Sequence, residues 1–463
     1  MLEPLYTADE MRTAEERYPG TEEELMEQAG RAVAEHALRD FPEARVFTVV
    51  CGSGKNGGDG KIAARELQAA GREVRVVDAK PEDEQKELGA PHVLVDALFG
   101  TGFTGEPRKG AARLIEQMGA LGCPVLAVDL PSGVDASTGE VAGQAVEADV
   151  TVTFHAAKVG HFVTPGAHFA GYVEVVDIGL PPLETRHART TRQILGLVPR
   201  RSPRDNKYTA GYVVVAGGSP GMTGAPCLSA LAAFRSDAGY VALAGPRSAV
   251  PAFESWVLEA VKRGLEEDVD GHVTEAAAET VLQLSARGGA LAVGPGLGRS
   301  DGTKAFVRRI LAEAAVPAVV DGDALFELER DEWPGPRVLT PHSGELGRLL
   351  GVDSAWVDAH RLRAAAQAVE RFGCVVLLKG DGTLAAAPGE GVLVCGGFPT
   401  LATAGTGDVL TGIVAAFLAK GVEPRLAAAA AATAQHWAAV EAPQKDGLVA
   451  SDLLDALPAA LAG

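Results

Sequence analysis

Apolar and polar positions fall into two recurring patterns along this chain: short aliphatic runs, and longer stretches with an apolar residue every three or four positions. Two helical stretches open it, each with a start signal. Thr7 stands three residues before Glu10, and Thr21 three before Glu24. At that spacing a hydroxyl and a carboxylate satisfy free amides at a helix start. A strand-like run RVFTVVC (45–51) follows, then a glycine loop and a helical stretch from Asp59 to about Ala70. Further apolar runs at 73–78, 92–96, 124–129, 150–154 and 172–178 alternate with helical patterns. That alternation predicts a mostly parallel sheet with helices on both faces.

The second half repeats this logic without repeating the sequence. YVVVAGGS (212–219), GGALAVGPGLG (288–298), PAVVDGDAL (317–325), RVLTPHSGE (337–345) and CVVLLKGDGT (374–383) are β-rich runs ending in Gly, Asp, His or Lys. Open α/β sheets gather ligands at such ends. No fixed period recurs, which excludes a solenoid or propeller. Between the halves, residues 180–207 hold four prolines, and from Arg186 to Lys207 seven Lys/Arg face one acid. The expected division is a domain at 1–185 and another at 186–463, with a basic linker at about 183–195. The basic segment could otherwise steer anions or dock the halves. The late run LAAAAAATAQHWAAV is interrupted by Gln435 and His436 and reads as a buried helix, not a membrane span.

Composition narrows the function. A chain of 463 residues carries two or three domains. Its 56 glycines exceed the roughly 32 expected at ~7 %. The 42 Lys+Arg against 61 Asp+Glu give −19, which opposes general nucleic-acid binding. An anionic ligand must be gripped locally. Five cysteines without zinc spacing suggest a reducing compartment. The start has no basic–apolar signal-peptide pattern. The expectation is a cytoplasmic protein.

GSGKNGGDG (52–60) lies between a strand and a helix, where backbone amides and a helix N-terminus can hold an anion. It lacks the Walker A sequence. Asp96 and Asp129 end two other strand-like runs; if these strands are neighbours, both approach Asn56 and Ser132. Few carboxylates with neutral oxygens suit a cation of low charge better than a divalent one. The strings GSGKNGGDG, VDALFGTGFTG, DLPSGVD, TFHAAKVGHF and VDIG, over about residues 1–180, resemble the NAD(P)H-hydrate epimerase family. The resemblance implies a Rossmann-like doubly wound sheet. It implies that Lys55, Asn56, Gly57, Gly58 and Asp59 bind the hydrated dinucleotide. Gly100, Thr101, Gly102, Phe103, Thr104, Gly105 and Glu106 would join them, with Asp129. Potassium (K+) would be held by Asn56, Asp96 and Ser132. The acid–base work of opening and reclosing the ring at C6 is expected of Asp129, with Lys158 a second candidate. Lys55 departs from the family pattern, which has a second Asn there.

In the second half, TLATAGTGDVLTGIVAAFLAKG (400–421) places AGTGD before an apolar helix. Amides at that helix start form an anion hole for a transferring phosphoryl group. Asp408 falls in the first turn, as a base for a hydroxyl nucleophile or as a simple dipole-offsetting acid. Lys379-Gly380-Asp381-Gly382-Thr383 ends a buried run, as phosphate grip or surface turn. His342, with Glu345 three residues on, is a candidate ligand. Asp321 and Asp323 could position magnesium-bound water or cap the next helix.

These strings resemble the ribokinase-like superfamily and, over roughly 195–463, its ADP-dependent NAD(P)H-hydrate dehydratases. The resemblance implies a ribokinase-like α/β/α domain. Ala225, Gly296, His342 and Asp408 would face the (6S)-hydrate. Lys379, Gly380, Asp381, Gly382 and Thr383 would face ADP with Thr403, Ala404, Gly405, Thr406 and Gly407. Asp408 would be the base, and Mg2+ would neutralise phosphate charge. Gly322, Thr406 and Tyr208 depart from the usual family residues. The expected whole is a bifunctional repair enzyme: one half interconverts (R)- and (S)-hydrates, the other dehydrates the (S) form with ADP. The alternatives are a vitamin-precursor kinase with an accessory dinucleotide-binding domain, and a non-enzymatic dinucleotide sensor. Expected partners are the NADH and NADPH hydrates and ADP, in a homo-oligomer, with neither nucleic acid nor membrane.

Overall fold

The computed structural model describes residues 1–79, 86–330, 332–444 and 446–462. The chain divides into two compact units, Pro4–Ala188 and Arg189–Gly463, the latter including Met1–Glu3. Strands are numbered along the chain, beginning with β1 (Leu2–Leu5). The first unit is built on β2 (Val46–Cys51), β3 (Glu73–Asp78), β4 (Val93–Ala97), β5 (Val125–Val128), β6 (Val150–Phe154) and β7 (Tyr172–Val176). Their order is β3-β2-β4-β5-β6-β7, and every neighbouring pair is parallel. Since β3 and β4 flank β2, the winding reverses there and a crevice opens beyond the carboxyl ends of β2 and β4.

Both expected capping boxes form, Thr7 with Glu10 and Thr21 with Glu24. The helix after β2 spans Lys55–Ala69 and starts four residues before the expected Asp59. Six of the nine residues of the glycine loop are therefore helix. The reason is contact: a Cβ on Gly57 would lie 1.9 Å from Gly52 O, and one on Gly60 2.5 Å from Ala97 Cβ. Close helix–strand approach outweighs the ~1 kcal/mol by which glycine disfavours a helix.

The second unit adds β8 (His187–Thr190), β9 (Tyr212–Ala216), β10 (Tyr240–Pro246), β11 (Val261–Leu265) and β12 (Ala290–Val293). Then come β13 (Ala318–Val320), β14 (Arg337–Leu339), β15 (Val375–Leu378), β16 (Thr383–Ala386) and β17 (Leu393–Cys395). The sheet order is β1-β8-β17-β16-β15-β14-β13-β12-β9-β10-β11. From β15 to β11 the pairs are parallel, while β16 runs antiparallel to both β15 and β17. The carboxyl ends of β12 to β15 thus emerge at one edge. The helix Thr406–Ala419 is buried along most of its length, and Gly412 allows its close approach to Ser229.

The stretch read as a linker contains β8 and a short 3-10 helix at Arg192–Leu197. Three of its arginines are paired within the second unit: Arg189 with Glu3, Arg192 with Glu441 and Arg201 with Asp237. The alanine-rich run is the helix Pro424–Glu441, with most of its alanines buried. Among the described residues no helix is long and apolar enough to cross a membrane. All five cysteines are free; four are buried, whereas Cys123 is half-exposed.

Candidate functional sites

The crevice of the first unit is a cavity of about 1100 Å³, lined among others by Met11, Met26, Gly54, Lys55, Asn56, Asp59, Phe99 to Thr104, Glu106 and Asp129. Gly54 precedes the helix without a side-chain cap. Among the described residues no acceptor meets the amides of Lys55, Asn56 and Gly57. Three bare amides at a helix start are a ready site for an anion. Phe99 and Phe103 stack at 4.7 Å between centroids. Lys55 pairs instead with Glu15 at 3.1 Å and Glu22 at 3.4 Å.

Asp129 follows β5 at φ +66, a backbone region uncommon for residues other than glycine. Its Oδ1 accepts from Lys158 Nζ at 2.7 Å and Thr153 Oγ1 at 3.0 Å. Its Oδ2 accepts from the Thr101 amide at 3.1 Å and from the Thr101 hydroxyl. Burial alone raises its pKa, but the charge and hydrogen bonds of Lys158, helped by Thr101, outweigh it and hold the group at about 2. Fully buried Lys158 also donates to Thr153 Oγ1 at 2.7 Å and Phe154 O at 3.0 Å. Sequence reasoning gave His161 no role, although it lies in the quoted TFHAAKVGHF string. Its Nδ1 accepts the Lys158 amide at 3.0 Å, so its Nε2 donates to Asp129 O at 2.8 Å. Burial, then Lys158, pushes its pKa down to about 4.

Behind the cavity, Asp96 is completely buried. It accepts from Leu98 N at 3.2 Å, Ser132 N at 2.8 Å and Ser132 Oγ at 2.7 Å. Burial pushes its pKa up to about 6 against those bonds. Asn56 is 8 % exposed, and its Nδ2 has no partner. Gly57 and Gly58 meet the chain itself, Gly52 and Met26 respectively.

In the second unit, Gly405 takes φ +89 at the start of Thr406–Ala419, a conformation open to glycine at little cost. Among the described residues the amides of Gly407 and Asp408 have no acceptor. Thr406 Oγ1 turns away, donating to Leu401 O and Thr403 O, both at 2.8 Å. Thr403 Oγ1 likewise donates to Thr400 O at 3.1 Å. A Cβ on Gly407 would lie 3.3 Å from Lys379 Nζ, so the lysine after β15 reaches the helix start. Lys379 donates to Asp321 Oδ1 at 2.7 Å and lies 3.8 Å from Glu345 Oε2. Burial opposes its charge, yet Asp321 and Glu345 raise its pKa. Asp321 Oδ2 accepts from Thr411 Oγ1 at 2.7 Å. Burial, then Asp321, pushes Asp408 up to about 7, with Lys379 pulling the other way.

The other candidates have mixed surroundings. His342 caps Ser343–Leu350: its Nδ1 accepts from Gly344 N at 3.0 Å and Glu345 N at 3.4 Å, and its Nε2 lies 3.6 Å from Glu345 Oε2 on a largely exposed ring. Asp323 caps nothing; it accepts from Gly298 N at 2.9 Å and Arg299 Nε at 2.8 Å. Ala225 and Gly296 adjoin, 3.3 Å between Cβ positions. Buried Arg361, which sequence reasoning missed, braces the 379–383 turn by donating to Leu378 O, Lys379 O and Gly382 O, each at 3.3 Å. A buried arginine with three carbonyls carries no short motif. Asp381 and Ala404 are exposed and Thr383 is buried.

Comparison with known proteins matches this two-part geometry. A family described as NAD(P)H-hydrate dehydratase matches residues 213–459. One described as YjeF-related protein N-terminus matches 22–89 and 76–160. The bifunctional NAD(P)H-hydrate repair enzyme Nnr of Moorella thermoacetica is 38 % identical, with 98 % of this chain and 96 % of that one covered. Its Escherichia coli namesake is 33 % identical, with 94 % and 88 % covered. An ADP/ATP-dependent NAD(P)H-hydrate dehydratase from Bacillus subtilis, crystallised with ATP and Mg2+, is 26 % identical at a TM-score of 0.51. That likeness covers 58 % of this chain and 96 % of the solved one.

Proposed function

This chain belongs to the bifunctional NAD(P)H-hydrate repair enzymes, and from that premise we propose how its own residues divide the work. The first unit interconverts (R)- and (S)-hydrates, and the second returns the (S) form to NAD(P)H at the expense of ADP. The two steps suit one chain because damaged cofactor of either hand drains through a single epimer. The vitamin-precursor kinase alternative is set aside, since it leaves the epimerase-like unit unexplained.

One observation carries the dehydratase assignment: Asp408 sits beside bare amides at a helix start that Lys379 also reaches. A phosphoryl group seated there is met by Gly407 and Asp408 N–H and by the lysine charge. Asp408 takes the proton of the C6 hydroxyl as its oxygen bonds to the β-phosphorus of ADP and AMP leaves. The C6–O bond then breaks, phosphate departs with the electron pair, and loss of the C5 proton restores the ring double bond. His342, Ala225 and Gly296 are assigned to the hydrate, and the 379–383 and 403–407 segments to the nucleotide.

Charge supports a divalent cation here. Asp321, Glu345 and Asp408 surround one lysine, Lys379, so nucleotide phosphates would meet excess negative charge without a counter-ion. Mg2+ bound with the nucleotide would neutralise it, with Asp321 the carboxylate placed to hold it through water. No group of three or more His, Cys, Asp or Glu among the described residues is arranged to hold a metal alone.

The first unit also suits a monovalent cation. Asp96 is buried with hydrogen bonds but no positive partner, and the neutral oxygens that Asn56 and Ser132 carry are the kind that a cation of low charge takes. Potassium between Asn56, Asp96 and Ser132 would return Asp96 to its ionised form and steady the loop that starts at Leu98. Epimerase activity is expected to fall on exchange of K+ for Li+, and Asp96→Asn to abolish the difference between the two salts. Unchanged rates in both salts would remove the cation from this site.

The test of the whole reading is a mixture of both NADH-hydrate epimers given the protein, ADP and Mg2+. Complete return of dihydronicotinamide absorbance is expected. Recovery that stops at the (S) fraction removes the epimerase assignment, and no recovery removes both.

A further inference from the structure

The buried polar groups around the first unit's cavity are of two kinds. Asp129, Lys158 and His161 are saturated: every donor or acceptor just described is taken by a neighbour. Asp59 is the opposite. It is 9 % exposed, lines the cavity, and its carboxyl group has no hydrogen bond or ion pair among the described residues. Its oxygens are not among the enclosed unpartnered atoms; they open onto the cavity, the space where the substrate belongs.

We propose that Asp59 is a catalytic residue of the epimerisation, its free carboxyl group carrying the protons that open and reclose the hydrated ring at C6. The proposal rests on the epimerase reading of this unit and deepens it. C6 of the hydrate bears both the hydroxyl and ring nitrogen N1. Opening the ring breaks C6–N1, sends that electron pair to N1, and makes C6=O from the hydroxyl. One proton must leave the oxygen and one must reach the nitrogen. A protonated carboxyl group does both: its O–H gives a proton to N1 while its carbonyl oxygen accepts the hydroxyl proton. It finishes protonated, as it began. Rotation about C5–C6 presents the other face of the aldehyde, and the reverse transfer closes the opposite epimer. No outside acid, base or oxidant is needed.

This chemistry requires a carboxyl group that is protonated near neutral pH with both oxygens free. Burial, then the charge of Asp129 and that of Glu15, raises Asp59 well above the usual carboxylate range. Lys55 pulls the other way, but its charge is shared with Glu15 and Glu22. Asp129, held at about 2, is too weak a base to exchange protons near neutrality. Its role becomes that of a fixed anion that adds to burial in raising the pKa of Asp59 and that orients Thr101. Two carboxyl groups pushed in opposite directions is a recurring arrangement in acid–base sites.

The experiment uses the full chain and follows interconversion of purified hydrate epimers by chiral separation. Asp59→Asn, near in size but unable to exchange roles between its two ends, is expected to lower kcat about 100-fold or more. KM should hardly change, and ADP-dependent conversion of the (S) form should be untouched. Asp59→Glu should recover part of the loss. A kcat within tenfold of wild type in Asp59→Asn overturns the proposal. So does a loss that appears in KM together with a lower melting temperature, which marks a structural residue. In heavy-oxygen water the C6 oxygen is expected to be retained at each inversion; complete exchange with solvent overturns ring opening by Asp59. Wild-type protein that fails to speed interconversion at all refutes the epimerase reading itself, a separate result.

Discussion

The Asp129–Lys158 pair shows what one buried contact is worth and when it is lost. Lys158 is fully buried with three acceptors around its ammonium group. Lys158→Met leaves Asp129 a buried, unpaired anion, and removing one partner of such a pair costs about 3–5 kcal/mol. Urea unfolding of the first unit should register it. Acid acts through the same pair. Asp129 has its pKa lowered to about 2, so its contribution to stability is complete above the unfolded value of ~3.9. It is lost as pH falls from there through about 2. Asp408 behaves oppositely, with a pKa raised to about 7. As the base it must be ionised, so kcat/KM for dehydration should rise with pH up to about 7 and level off above it. A flat profile across that range would show that Asp408 does not take the proton. Asp408→Asn should cost about 10²–10⁴-fold in rate with ADP binding kept.

Among the elements, the two helix starts explain what the motifs were for and where their reading fell short. GSGKNGGDG and AGTGD were visible as strings, and both open helices whose first amides are free. Not visible was that glycines within one string serve two purposes. Gly57 and Gly60 are bare because backbone or side chain presses on them, while Gly54 has nothing within 4 Å of a Cβ. Gly57→Ala should therefore destabilise the first unit by about 1–3 kcal/mol, whereas Gly54→Ala should leave its melting temperature nearly unchanged. Equal shifts for the two would remove the distinction. A string shows that side chains are missing and not what fills the space. Arg361 and His161 escaped for a related reason: they act on main-chain carbonyl groups, which leave no mark in the order of residues.

Over the whole chain, the two α/β units and their parallel sheets were legible because apolar runs and helical patterns alternate so regularly. Strand-like runs from 45 to 176 mapped onto β2 to β7 within two residues at each end. The edges of the second sheet were not legible. β8 is HART, which carries no apolar alternation, and it pairs in the sheet with β1, far away in sequence. Long-range pairing of short polar strands depends on geometry that no local window contains. Removing Met1–Glu3 deletes the Met1 O bond to Thr191 N at 3.0 Å and the Glu3–Arg189 pair. Calorimetry should find the second unit weakened by about 1–2 kcal/mol and the first unit unaffected.

That distant pairing has a consequence for the order in which the polypeptide is made. Residues 1–3 leave the ribosome well before Arg189 and Thr191 are synthesised, so a sheet that includes them cannot be finished as it emerges. Their partners arrive only after all of Pro4–Ala188 has been translated. Units otherwise tend to fold in sequence during synthesis. Here Met1–Glu3 stay idle until Arg189 and Thr191 follow them, so a change that weakens this pairing would burden maturation of the dehydratase unit.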